Sequence, residues 1–200
     1  GSGKTLIYME LMERVLARGR QAILLIPEIA LTYQMVQRFY HRFGDQVSVL
    51  HSRLSQGERS DQFERAKNGE IQIMIGPRSA LFTPFPRLGL IVLDEEHETS
   101  YQSETSPCYH ARETAIARAG MEDARVVMGS ATPSVDAYYR SRLGEYRLFE
   151  LENRYENRQL PRAQIVDLRE ELRAGNRSIL SRRLQEAMEE RLAKKEQIIL

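Results

Sequence analysis

The amino-acid sequence predicts an α/β fold with a mostly parallel sheet. Short apolar runs alternate with amphipathic stretches, which is typical of successive βα units. The chain opens on a glycine-rich turn that leads into a helical pattern, and the apolar run at residues 90–93 ends in acidic residues. Ligands bind at the carboxyl ends of strands in an open parallel sheet, so we expect these two features at one edge.

The alternation of apolar and amphipathic segments gives the individual elements. It predicts strands over residues 22–26, 47–50, 71–75, 90–93, 126–128 and 146–151. It predicts helices over residues 4–17, 32–43, 57–67, 110–118 and 134–143. Gly19 fits a helix C-cap, and Ser134 after Pro133 fits a helix start.

The composition shifts after residue 151, where a polar stretch reads as a linker. Beyond it we expect a strand at 163–168, a helix at 181–195 and the beginning of a strand at 197–200. Four apolar residues recur at helical spacing in the last helix, and Ser181 can cap it. The sequence therefore predicts a first domain at residues 1–152, and a linker with the start of a second domain at 153–200.

Bulk composition limits the classes of protein that fit. Of the 200 residues, 42% are hydrophobic and 28% charged, which favours a globular chain. The net charge is only +1, so binding of nucleic acid needs a local basic patch. The single cysteine, Cys108, excludes a disulfide within this chain and suits a reducing cytoplasm. The longest apolar run, residues 22–26, is far below the ~20 residues of a membrane span, so we expect no membrane partner.

The opening residues have the pattern of a phosphate-binding loop, G-x-x-x-x-G-K-[ST]. Gly3 takes the second glycine position, and the first would fall two residues before Gly1, so we expect the chain to be part of a longer protein. Gly1, Ser2 and Gly3 would bring backbone N–H groups to the phosphates of ATP. Lys4 would pair with the β and γ oxygens, and the Thr5 hydroxyl would bind Mg²⁺. The alternative is an ordinary glycine turn before a helix.

The acidic residues after the apolar run supply the other half of this nucleotide site. Asp94 would hold Mg²⁺, directly or through water, and Glu95 would polarise the attacking water. Ser130, Ala131 and Thr132 follow the strand predicted at residues 126–128, and this combination beside an acidic box resembles that of the translocases of helicase superfamily two. Such small hydroxyl residues can transmit the nucleotide state to other parts of the protein. The alternatives are a solvated acidic loop and a helix-capping turn.

Three segments are predicted to contact nucleic acid. Pro27, Glu28 and Thr32 follow the first strand, where proline halts the strand and threonine can cap a helix. Arg78 and Ser79 follow another strand and could contact a DNA backbone. The remaining three predicted contacts lie in the long loop at residues 100–110 and are Tyr101, Tyr109 and His110. Aromatic side chains in such a loop can stack on bases. The alternatives are plain turns, and a Tyr109 that packs under the next helix.

Five motifs in order resemble those of the bacterial primosomal replication-restart helicases. They are PEIALT at residues 27–32, GPRSALF at 76–82, DEEHE at 94–98, YHARE at 109–113 and GSATPS at 129–134. The resemblance implies a RecA-like P-loop lobe, followed by the start of a second RecA-like lobe. It implies an ATP-dependent 3′→5′ DNA helicase that acts on single-stranded and forked DNA with other primosome proteins. Zinc is implied only for a module outside this chain.

The same resemblance assigns roles to matching residues. Gly1 to Thr5 match the ATP loop, Asp94 to His97 the DEEH box, and Tyr101 to His110 an aromatic-rich loop, although this chain has no tryptophan. His97 would relay the nucleotide state with Ser130 and Thr132. The chain by itself should hydrolyse ATP poorly, because the arginines that complete such sites come from the second lobe.

Two alternative functions stay open at this point. One is a superfamily-two translocase on RNA or duplex DNA, against which the aromatic loop and the PEIALT motif argue. The other is a nucleotide-gated binding module without turnover, against which the intact Lys4, Asp94 and Glu95 argue.

Overall fold

A computed structural model describes residues 3–151 and 162–200 of the chain. The chain divides into two compact units, the first ending at Glu156 and the second starting at Asn157. The first unit contains five strands: β1 (Gln21–Leu25), β2 (Val47–Val49), β3 (Ile73–Gly76), β4 (Leu88–Asp94) and β5 (Arg125–Gly129). They form one sheet in the order β2-β3-β1-β4-β5, and every ladder is parallel. The predicted α/β fold with a parallel sheet is confirmed.

Helices cover both faces of this sheet. They are α1 (Lys4–Leu16), α2 (Tyr33–Phe43), α3 (Gln56–Lys67), α4 (Ala111–Met121) and α5 (Val135–Arg142). One face packs on α1 and α2, whereas the other packs on α4 and on part of α3. Side chains of β1 alternate between the two cores, with Ile23 and Leu25 on one side and Ala22 and Leu24 on the other. This two-sided burial explains the continuous apolar run of the strand.

The strand order places a switch point beside β1. This strand pairs with β3 on one side and β4 on the other, so the winding of the chain reverses there. The ladders align Leu25 with Leu93, and Asp94 with Gly129. The carboxyl ends of β1, β4 and β5 therefore lie side by side, which is where this class of sheet binds ligands.

The three strands predicted at residues 146–151, 163–168 and 197–200 are wrong. None of these segments pairs with another strand in the described ranges. Leu148 and Phe149 are exposed, so the apolar pattern there has no neighbouring strand to pack on. In the described part of the second unit, the first helix is the short α6 (Leu168–Arg173), which Asp167 caps.

The predicted last helix is present as α7 (Arg182–Ala193). The Ser181 side chain accepts a hydrogen bond from Leu184 N, as expected for an N-cap. Among all the helices described, none combines the length and the apolar character that a bilayer span requires.

A capping box at the start of α3 gives a prediction about stability. Ser55 Oγ accepts from Glu58 N at 3.2 Å, and Glu58 accepts in return from Ser55 N at 2.8 Å. We expect Ser55→Ala to lower the free energy of unfolding by about 1 kcal/mol. Urea denaturation measures this change. Ser60→Ala, in the exposed interior of the same helix, is the control and should be neutral or slightly stabilising.

Candidate nucleotide and nucleic-acid site

Lys4 and Glu95 meet across the carboxyl edge of the sheet. Lys4 Nζ lies 2.9 Å from Glu95 Oε1, although the two residues are far apart in sequence. Glu95 follows the last residue of β4 and has a φ of +49°, a left-handed conformation that is uncommon for a residue with a side chain. This conformation turns the chain sharply after Asp94 and brings Glu95 back over the start of α1.

The start of α1 suits a phosphate. Gly3 is its N-cap with a φ of +86°, and among the described residues no side chain caps this helix end. An uncapped helix N-terminus beside a lysine attracts anions. Thr5 lies in the same first turn, and Gly1 and Ser2 lie outside the described residues. The donor set of one lysine, one threonine and two facing carboxylates therefore fits a nucleoside triphosphate with Mg²⁺.

Asp94 is held by two buried tyrosines that the sequence analysis did not assign to the nucleotide site. Tyr8 donates its hydroxyl hydrogen to Asp94 Oδ1 at 2.9 Å, and Tyr101 donates to the Asp94 carbonyl oxygen at 2.6 Å. Burial raises the pKa of the Asp94 carboxyl, and the Tyr8 hydrogen bond counteracts part of that increase. The available signal for Tyr8 was its position four residues after Lys4, on the same face of a helix.

His97 and Ser130 are in contact at the ends of β4 and β5. His97 Nδ1 lies 2.7 Å from Ser130 Oγ, and Ser130 Oγ also accepts from Thr132 N at 3.0 Å. His97 Nδ1 is 3.7 Å from Glu95 Oε2, so it lies next to the lysine-bound carboxylate. The side chains of Ala131 and Thr132 are exposed. The structure thus brings His97 and Ser130 together, and their part in transmitting the nucleotide state stays a prediction.

A buried ion pair beside this contact was missed by the sequence analysis. Glu96 is only 3% exposed, and its Oε1 lies 2.7 Å from Arg112 NH1. Ser134 donates to the same carboxylate from both its hydroxyl, at 2.6 Å, and its backbone N–H, at 3.1 Å. Burial opposes ionisation of Glu96, yet the hydrogen bonds from Ser134 and Arg112 outweigh it and hold its pKa below the usual value. Arg112 also binds Asp136 on α5, so the cluster joins the acidic box to two helix starts.

The expectation that Tyr101 stacks on bases is wrong. Its ring is 1% exposed and belongs to the core on the α4 side of the sheet. Its hydroxyl lies 3.0 Å from the Leu25 carbonyl oxygen as well as 2.6 Å from that of Asp94. The ring therefore cannot reach a base, and a role in packing and in tying strand ends replaces the predicted contact.

His110 also has a structural contact at the end of the loop. It is the N-cap of α4, and its Nδ1 accepts from Arg112 N at 3.2 Å. Burial lowers the pKa of its imidazole. The imidazole is therefore engaged through Nδ1, and a contact of the half-buried His110 with nucleic acid stays a prediction.

Tyr109 and Arg78 are partly exposed in this region. Tyr109 is half-buried and packs edge-on against Phe82, with ring centroids 5.2 Å apart. Arg78 donates to the carbonyl oxygens of Ser100, at 2.8 Å, and Gln102, at 3.1 Å. Arg78 is therefore partly committed to the loop, and contacts of Arg78, Ser79 and Tyr109 with DNA stay predictions.

The PEIALT segment forms a bend at the end of β1. Pro27 is buried and Glu28 is exposed, with a Glu28 carboxylate oxygen accepting from Ser52 N at 2.9 Å. Thr32 caps α2 by accepting from Met35 N at 3.3 Å. The predicted cap is confirmed, whereas contact of Pro27, Glu28 and Thr32 with nucleic acid stays a prediction.

Comparison with known proteins agrees with this geometry. The sequence model of the DEAD/DEAH box helicase family matches residues 1–140. The chain belongs to this family. The RecA-like P-loop lobe that the motifs predicted is thereby confirmed.

Relatives named replication restart protein PriA match along the whole chain. Identity is 52% with the protein of Bacillus subtilis, 48% with that of Synechocystis and 43% with that of Haemophilus influenzae. The resemblance drawn from the five motifs is confirmed. The chain spans 25%, 25% and 27% of the length of these relatives, and so corresponds to about a quarter of each.

The buried ion pair provides a prediction for the site. Arg112→Met leaves the Glu96 carboxylate buried without its cation, and removing one partner of such a pair costs about 3–5 kcal/mol. We expect a loss of unfolding free energy of that size in urea denaturation.

The double variant Arg112→Met, Glu96→Gln is the matched control, because it removes the charge as well as its partner. It should recover more than half of the loss. Equal destabilisation of the single and the double variant would contradict the importance of the pairing.

Proposed function

We propose that this chain is the first motor lobe of an ATP-dependent DNA helicase that acts in replication restart. The observation that supports it best is the ion pair between Lys4 and Glu95 at 2.9 Å, beside Asp94 at the switch point of the sheet. A lysine at a helix start opposite acidic residues at a strand end is the arrangement by which P-loop NTPases hold ATP and Mg²⁺.

Each residue then has a distinct part in hydrolysis. Thr5 and Asp94 would hold Mg²⁺, which would supply positive charge against the phosphates. Lys4 exchanges its present partner, Glu95, for the β and γ oxygens of ATP, because the triphosphate carries more negative charge than one carboxylate. That exchange releases the Glu95 carboxylate to accept a proton from the attacking water and to orient it. His97 contacts Ser130 and lies near Glu95, and so passes this change to β5.

The nucleic-acid substrate and the direction of movement are proposed from the motif resemblance to replication-restart helicases. Proteins named for replication restart align with the whole chain, and the motifs at residues 27–32 and 76–82 follow strand ends on the site side of the sheet. We propose translocation 3′→5′ on single-stranded and forked DNA, in the cytoplasm and together with other primosome proteins.

The test of this function compares nucleic acids in a protein of the relatives' full length that contains this chain. ATP hydrolysis should be stimulated most by single-stranded and forked DNA, and less by duplex DNA or RNA. Stronger stimulation of ATP hydrolysis by RNA or duplex DNA would favour a superfamily-two translocase that acts on those nucleic acids. An absence of turnover with intact ATP binding would favour a nucleotide-gated binding module.

The 200-residue chain alone should bind ATP but hydrolyse it slowly, because the arginines that a second lobe supplies raise the rate of phosphoryl transfer by roughly 10³–10⁵.

The roles of Lys4 and Glu95 give opposite effects on binding. Lys4→Ala should weaken ATP binding by the chain at least tenfold, because it removes the phosphate contact. Glu95→Gln should leave binding equal or tighter, because it frees Lys4 from its ion pair, while abolishing turnover in the full-length protein. Nucleotide titration and single-turnover hydrolysis measure the two effects. A similar loss of affinity in both variants would refute the assigned roles.

Tyr109 provides a test of coupling to DNA. Stacking on a base is worth about 1–3 kcal/mol, so Tyr109→Ala in the full-length protein should reduce stimulation of ATPase by single-stranded DNA at least fivefold. Basal ATPase should stay within twofold. Tyr33→Phe, which keeps the aromatic ring of an exposed residue on α2, is the control. An unchanged stimulation ratio in Tyr109→Ala would show that Tyr109 serves only in packing against Phe82.

A further inference from the structure

Asp94 is fixed at two of its oxygen atoms by phenol groups. Its Oδ1 accepts from Tyr8 at 2.9 Å, and its carbonyl oxygen accepts from Tyr101 at 2.6 Å. Tyr8 and Tyr101 are 3% and 1% exposed, so water cannot replace either hydroxyl without a rearrangement of the core. The two tyrosines come from different elements, α1 and the short turn at Thr99–Tyr101.

We propose that Tyr8 and Tyr101 are positioning residues that fix the metal-binding geometry of Asp94 through these two hydroxyl groups. The proposal rests on the proposed function, in which Asp94 binds Mg²⁺. Carboxylates that bind metals are themselves held by hydrogen bonds, and loss of such a partner typically costs 10–100-fold in affinity. Fixing Oδ1 also fixes the torsion of the carboxylate, and hence the direction of the second oxygen.

Gly129 explains how the Tyr8 hydroxyl reaches this place. The register pairs Asp94 with Gly129 on β5. A Cβ atom at Gly129 would lie 1.6 Å from the Tyr8 hydroxyl oxygen and 2.8 Å from its ring carbon Cζ. Any other residue there would displace Tyr8, so the glycine that opens the GSATPS motif makes room for the Tyr8 contact with the carboxylate.

Tyr101 ties Asp94 to the neighbouring strand. Its hydroxyl lies 3.0 Å from the Leu25 carbonyl oxygen at the end of β1, and closer to that of Asp94 at the end of β4. Both carbonyl groups lie where the parallel ladder stops, and the tyrosine supplies a donor there. The hydroxyl thus holds the backbone of Asp94 level with β1, while Tyr8 holds its side chain.

The experiment uses the 200-residue chain with ADP, and with Mn²⁺ as the probe ion, observed by electron paramagnetic resonance. Tyr8→Phe and Tyr101→Phe keep the rings but remove the hydroxyl groups. We expect Mn²⁺ affinity in the presence of ADP to fall at least tenfold in Tyr8→Phe and at least threefold in Tyr101→Phe. ADP affinity in EDTA should stay within twofold of wild type. Tyr40→Phe on α2, which is partly exposed and far from this edge, is the matched control and should bind Mn²⁺ like wild type.

The outcomes separate this proposal from the function on which it rests. If wild type binds no Mn²⁺ with ADP, both the proposed metal site and the positioning role are wrong. If wild type binds and both phenylalanine variants bind equally well, only the positioning role is wrong. A parallel variant, Tyr8→Met, lacks the hydroxyl but fills the core flexibly, so it gives the answer if Tyr8→Phe fails to fold. A fall in ADP affinity in EDTA that matches the fall in Mn²⁺ affinity would also overturn the proposal, because it would indicate general damage to the site.

Discussion

The position of Asp94 depends on the register of β4 between β1 and β5. The strand is buried on both faces, so a slip by one residue would move each side chain to the opposite core and is strongly disfavoured. With this register, Asp94 comes level with Gly129 on one side, and Leu93 pairs with Leu25 on the other. The hydroxyl contacts of both tyrosines, the turn at Glu95 and the contact of His97 with Ser130 all require that alignment.

Three consecutive carboxylates lie at the end of β4, and this alignment gives each of them a different partner. Asp94 accepts from a tyrosine hydroxyl, Glu95 pairs with Lys4, and Glu96 pairs with Arg112. Like charges in one place would disfavour ionisation of each other. The left-handed conformation of Glu95 sends successive side chains in different directions, so that Glu95 and Glu96 each reach a separate cation while Asp94 reaches a neutral hydroxyl. The left-handed backbone of Glu95, whose strain is of order 1–3 kcal/mol for such conformations, therefore keeps the three carboxylates apart.

The sequence was most informative where burial is complete. The central strands could be predicted because burial on both faces requires a continuous apolar run. The motifs at the ends of these strands indicate a nucleotide site. Tyr101 could not be assigned, since an aromatic residue among polar neighbours fits a stacking loop as well as a core position. Glu96 and Arg112 are charged, and only the fold brings them together in the interior. In the second unit, short apolar stretches predicted strands, but a strand needs a partner and these segments pair with none in the described residues.

The burial of Tyr101 also changes how the loop at residues 100–110 can communicate with the nucleotide site. Arg78 donates to the carbonyl oxygens of Ser100 and Gln102, the two residues that flank Tyr101. The Tyr101 hydroxyl in turn contacts the backbone of Asp94. A phosphate that drew Arg78 away would release both carbonyl groups, and the tyrosine between them would be free to shift. Since close-packed interiors transmit displacement, we expect that a contact outside the core would then move Asp94, without any aromatic ring of the core touching a base.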